Sequence, residues 1–198
     1  MKLARSTAAV AAAFATVLLP TAAHAASLAP VDTDGDVQMV TVDGNGNPTG
    51  DPVVVPTRTI GDVTKFRITH SDSNVRVEVY YKALPKAGTY NDHEFRFVTN
   101  TVERTISLEA GTGNWAGKAT MYYKSGSKYS CKGLTFLIDY PNHRVITTVP
   151  RTCLGNPKFV KLGAGFASIA GSKIYFDDAN VTAGGADDRT LSAGVART

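Results

Sequence analysis

An all-β fold, built as an antiparallel β-sandwich, is predicted by three observations on the sequence. Apolar and polar residues alternate with period two in segment after segment, the pattern of strands with one buried face. Clusters of Gly, Asn, Asp, Pro and Ser interrupt the chain at short intervals, as turns between short strands do. No segment repeats apolar residues at helical spacing. About ten short strands with no helix to cover them must cover one another. Two packed sheets are the expected solution, with a closed barrel as the alternative.

Residues 1–25 stand apart from this pattern. Lys2 and Arg5 precede an apolar run over 8–19, Pro20 ends it, and Ala23-His24-Ala25 follows. This is the layout of a secretory signal peptide cleaved before Ala26. The run is shorter than the roughly 18 residues a membrane span needs. The expectation is a secreted, extracellular protein with no membrane span in its mature form. Losing Lys2 and Arg5 lowers the formal charge from +4 by two. No run of Lys and Arg could track phosphates, which argues against a nucleic-acid partner.

The remaining elements follow in order. Asp36–Val42 alternates and runs into the turn DGNGNPTG. Val53–Val55 is flanked by prolines and suits an edge, because proline cannot donate to a ladder. Ile60–His70 and Val75–Tyr81 alternate on either side of Ser71-Asp72-Ser73-Asn74. PKAGTYND reads as a loop. Glu94–Thr99 and Val102–Leu108 are strands, with Arg104 out of place among Val102, Ile106 and Leu108. GTGNWAG reads as a turn before KATMYY. Phe159–Ser168 and Lys173–Phe176 close the set. These segments make one domain over 26–179. Residues 180–198 are poor in large apolar side chains and are expected to be a mobile tail, as are 26–31.

The two cysteines, Cys131 and Cys153, flank LTFLIDY-PNH-RVITTV, a hairpin signal. A turn centred on Asn142 pairs Asp139 with Val145, Leu137 with Thr147, and Thr135 with Val149. In that register Cys131 faces Cys153. Opposed residues of antiparallel strands lie about 4.5–5.5 Å apart at Cα, within disulfide range. A disulfide is therefore expected. It would close a loop of about 23 residues and contribute roughly 3 kcal/mol.

Candidate chemistry is sparse. Asp32, Asp34 and Asp36 lie in VDTDGDV, and alternate carboxylates can converge on Ca²⁺. Gly35 in the fourth position and Asp43 in the twelfth do not fit an EF-hand loop. A simpler structural calcium site adds Asp177 and Asp178 if the first and last strands are neighbours; a solvated acidic turn is the alternative. His70, His93 and His143 sit at predicted strand ends or turns and read as polar surface residues. No HExxH and no GxSxG occurs, and the Gly-rich GAGFASIAG lacks a following helix. Trp115, with Asn114 beside it and Tyr122 further along, is a candidate ring platform for a sugar. Packing against the core is the other reading of Trp115.

The signal, VDTDGDV, IGDVTKFRITHSDSNVRVEVYY, NWAGKATM, CKGLTFLIDY…VPRTCLGNP and the terminal DDA resemble a group of small secreted actinobacterial β-rich proteins of unknown function. That resemblance implies a shared fold. More distantly, the Asp-rich opening and short alternating strands are similar to DOMON-like and family-9-type carbohydrate-binding β-sandwiches, which bind sugars or haem, some with structural calcium. The expectation is a secreted, non-enzymatic β-sandwich binding an extracellular polysaccharide or cell-wall polymer. The alternatives are a secreted hydrolase or inhibitor whose site assembles only in the fold, and a structural envelope-associated protein.

Overall fold

The computed structural model describes residues 26–179 and 191–197. The expected leader and residues 180–190 lie outside them. The strands in chain order are β1 Ala26–Leu28, β2 Gln38–Thr41, β3 Val53–Val54, β4 Val63–His70, β5 Asn74–Tyr81, β6 Tyr90–Thr99 and β7 Glu103–Gly111. They continue with β8 Asn114–Tyr123, β9 Lys128–Tyr129, β10 Thr135–Asp139, β11 Arg144–Pro150, β12 Phe159–Ala170, β13 Lys173–Ala179 and β14 Val195–Ala196.

Two open antiparallel sheets face each other, a sandwich and not a barrel. The smaller runs β1-β4-β5-β11-β10. The larger runs β3-β2-β13-β12-β6-β7-β8-β9, with β14 also on β12. The core is the set of inward positions that period-two alternation prescribes: Phe66 and Ile68 on β4, Val75, Val77 and Val79 on β5, Phe95 and Phe97 on β6, and Ile106 and Leu108 on β7 are all buried. Out-of-pattern Arg104 lies between two rings, with Cζ 4.5 Å from the Tyr123 centroid and 4.6 Å from that of Tyr129. A cation over aromatic faces tolerates that position without a carboxylate.

Cys131 and Cys153 form the expected disulfide, with Cα atoms 5.5 Å apart. The hairpin between them differs from expectation by one residue. Asp139 pairs with Arg144, Leu137 with Ile146 and Thr135 with Thr148. The turn holds four residues, Tyr140 to His143, with Tyr140–Asn142 in a 3₁₀ turn and His143 left-handed at φ 50°. An even-numbered turn has no central residue, so Asn142 is not its centre. The cysteines lie outside the ladder, Cys153 in a second 3₁₀ turn, Arg151–Leu154.

Parts of two segments expected to be mobile pair with the sheets. Ala26, Ser27 and Leu28 pair with His70, Thr69 and Ile68. Residues 191–197 return to the sheet: Val195 and Ala196 pair with Val160 and Phe159, and Val195 is buried. Small and polar residues still supply backbone donors and acceptors to an open strand edge. Strand β6 also begins earlier than expected, at Tyr90, and β8 takes in the supposed turn residues Asn114 to Gly117.

Candidate metal centre

The acidic opening of the chain folds over the start of β4 and the end of β13. The Asp32 backbone N–H donates to Thr64 O at 2.9 Å, and Val31 forms a bridge with Lys65. Gly35, at φ 82°, turns the chain in a conformation glycine adopts without penalty. Its N–H points at both carboxylate oxygens of Asp62, 3.3 and 3.2 Å away. Val37, fully buried, anchors the far side of the turn.

This path brings Asp36 beside Asp177 of β13. Asp32, Asp36 and Asp177 offer oxygens that all lie within 4.8 Å of one another. Asp36 is only 6% exposed and Asp177 only 5%. One oxygen of Asp177 accepts the Val63 N–H at 2.6 Å. Asp36 Oδ1 is buried and has no hydrogen-bond partner. Asp62, fully buried, stands close enough for its charge to act on Asp177.

Burial first, then the charges of Asp36, Asp32 and Asp62, push the Asp177 carboxyl up to about 8, against the opposing Val63 hydrogen bond. Burial likewise raises Asp36, with Asp34 adding to it. Asp62 is raised chiefly by burial too, with the Gly35 N–H acting against it. A cluster that resists ionisation when alone gains most from a cation, because a bound cation repays desolvated negative charge.

The five aspartates expected at a calcium site divide. Asp32, Asp36 and Asp177 converge. Asp34 is exposed and pairs with Lys82 at 2.7 Å, and Lys82 reaches Asp62 at 3.8 Å. Asp178 sits on the opposite pleat of β13, its Cα across from Gly165, where burial raises it to about 6. Asp62 was not anticipated. It begins a strand pattern, where one carboxylate looks like a solvated end. Gly61, directly before it, packs closely against Phe166, and the Lys82 N–H donates to Asp62 O at 2.8 Å. At φ 78°, a Cβ on Gly61 would stand 1.9 Å from Phe166 Cε1.

The residues expected at a sugar platform lie at two places along β8. Trp115 is half-buried and packs on the core cluster. Its ring meets Tyr140 edge-on at 6.2 Å, and Tyr140 Oη donates to Trp115 O at 2.8 Å. Asn114 is exposed at the hairpin tip, while Tyr122 lies far along β8 opposite Thr105. The histidines also differ from expectation. His70 and His93 are fully buried; only His143 is a surface residue.

Comparisons of the chain with protein-family models, with curated proteins and with solved structures give no match. Among the described residues no helix is long and apolar enough to cross a membrane.

Proposed function

We propose that this is a secreted β-sandwich domain stabilised by calcium, with a structural or binding role and not a catalytic one. The observation that carries the reading is the buried trio Asp32, Asp36 and Asp177, with Asp36 Oδ1 turned away from any protein donor. Hard carboxylate oxygens suit Ca²⁺, which takes six to eight of them. The cation would tie segment 31–37 to β4 and β13 and offset the charge of Asp62. Carboxylates as enclosed as Asp36 and Asp177 favour a structural ion over acid–base work on a substrate, which needs access. The export expected from residues 1–25 fits this reading, since extracellular modules bind calcium at about 10⁻⁴–10⁻³ M.

Thermal melts in EDTA and in millimolar Ca²⁺ test this. Calcium at tenfold its dissociation constant contributes about 1.4 kcal/mol to the folded state, raising the melting temperature by about 3–5 °C for a domain of this size. Asp36→Asn should abolish the rise. Equal midpoints in EDTA and calcium would overturn the proposal. Secretion is checked separately by N-terminal sequencing of the exported protein, which should begin at or next to Ala26.

A further inference from the structure

At the end of the sandwich where β6 begins and β12 finishes, an arginine lies apart from the metal centre. Arg58, on the loop between β3 and β4, lays its guanidinium on the Tyr175 ring, with Cζ 3.6 Å from the centroid. Its Nη2 stands 3.5 Å from Ser168 Oγ, the outer limit of a hydrogen bond. Its Nε is buried and makes no hydrogen bond. No carboxylate among the described residues pairs with it.

The guanidinium lines a cavity of about 150 Å³ together with Ser168, Ile60, Gly88 and Ile169. Behind Ser168, itself 3% exposed, lies its register partner on β6, Asn91. Asn91 is 1% exposed, and neither its amide nitrogen nor its oxygen has a partner. A buried amide without partners is destabilising. It lies next to Ser168, the residue that the Arg58 guanidinium approaches.

We propose that this cavity binds a small organic carboxylate, with Arg58 as the anchor and Ser168 as a further donor. Tyr175 holds one face of the guanidinium and leaves its edge to the cavity. That edge matches a carboxylate with two parallel hydrogen bonds. Ile60 and Ile169 offer an apolar wall to a short carbon chain. A cavity near 150 Å³ suits a ligand about the size of benzene, and lactate has a similar number of heavy atoms. One cationic side chain matches a single negative charge.

Titration calorimetry with L-lactate, its neutral amide and inorganic phosphate tests the site on the full mature chain. Saturable lactate binding in the millimolar range, with none for the amide, is the expected result. Arg58→Gln should weaken it about tenfold or more, the scale of a lost charge-assisted pair. Arg58→Lys, which keeps the charge but not the fork, should fall between. In the unmodified protein, lactate should shift the backbone amide signals of Gly88 and Ser168 and leave Asp36 and Val63 unmoved. No lactate binding, binding unchanged in Arg58→Gln, phosphate preferred to lactate, or shifts confined to other regions would each overturn the proposal. The calcium melts are unaffected by any of these outcomes.

Discussion

Tyr81 Oη and His93 Nδ1 are hydrogen-bonded at 2.9 Å in the middle of the sandwich, with the Phe166 ring against both. The imidazole has no exposed surface, and burial lowers it from 6.5 to about 3. The folded state therefore holds His93 neutral where an unfolded chain would protonate it. A depressed folded value means that the stability is complete above about 6.5 and is lost as pH falls toward 3. His70, also lowered by burial, acts in the same sense. The raised carboxyls of Asp177 and Asp178 act in the opposite sense over the same range, so the His93 contribution is read as a difference between wild type and His93→Gln, which keeps a partner for Tyr81. In urea unfolding between pH 7 and about 4, the wild type should lose stability relative to the variant as pH falls. An equal slope in the variant would remove His93 from the account.

Gly61 and Phe166 make a second prediction. Gly61→Ala forces the loop off the ring or the ring out of its place, and overpacking of this kind costs about 1–3 kcal/mol, with left-handed strain added. Because Asp62 follows directly, the variant should also bind calcium more weakly. Chemical denaturation and calcium titration of the same sample measure both effects. An alanine that leaves both unchanged would show that the loop is not pinned there.

Cys131 and Cys153 close the β10–β11 hairpin from outside its ladder. Replacing both with serine should lower stability by about 2–4 kcal/mol and leave the strand content unchanged by circular dichroism. The cost should be equal in EDTA and in calcium, since the bridge and the acidic cluster share no residue. A dependence on calcium would reveal coupling between the two.

Trp115 is the only tryptophan in the chain, so its fluorescence reports its surroundings without interference. Trp115→Ala should cost about 2 kcal/mol, short of the 3–5 kcal/mol of a fully buried ring. Tyr140→Phe, which removes the donor to Trp115 O, should cost about 1 kcal/mol. Polysaccharide binding that is lost in a stably folded Trp115→Ala protein would restore the ring-platform reading.

Strand alternation made most of the core readable. Val75, Val77 and Val79, or Phe95 and Phe97, can share one side of a strand only by facing inward. The cysteine pairing was legible from hairpin length, but its register was not, because a four-residue turn and a three-residue turn leave the same sequence signs around Pro141 and Asn142. Asp32, Asp36 and Asp177 were legible as a set once the first and last strands were taken as neighbours. Asp34 and Asp178 were not separable from them, since the direction of a side chain on a turn depends on the path of the backbone. Asp62 and Arg58 gave no signal. Asp62 reads as a solvated residue near the start of an alternating segment and Arg58 as a single polar residue in a loop, and the burial of each comes from what packs over it. The histidines misled for a related reason. His93 alternates with Phe95 and Phe97 as an inward residue should, and only its chemical type suggested the surface.

His70 is where the first and last described segments come together. Ala26 lies across from it on β1, and Val195 O is 3.1 Å from its Nδ1. The order in which the strands are strung is therefore separable from the way they pair. A circularly permuted chain, with residues 197 and 26 joined by a short linker and new ends opened in the exposed turn at Asp43–Asn47, could keep every strand in its place. Surface turns of this kind tolerate such cuts. A reporter joined ahead of Ala26 and another joined after Arg197 would emerge close together on the surface.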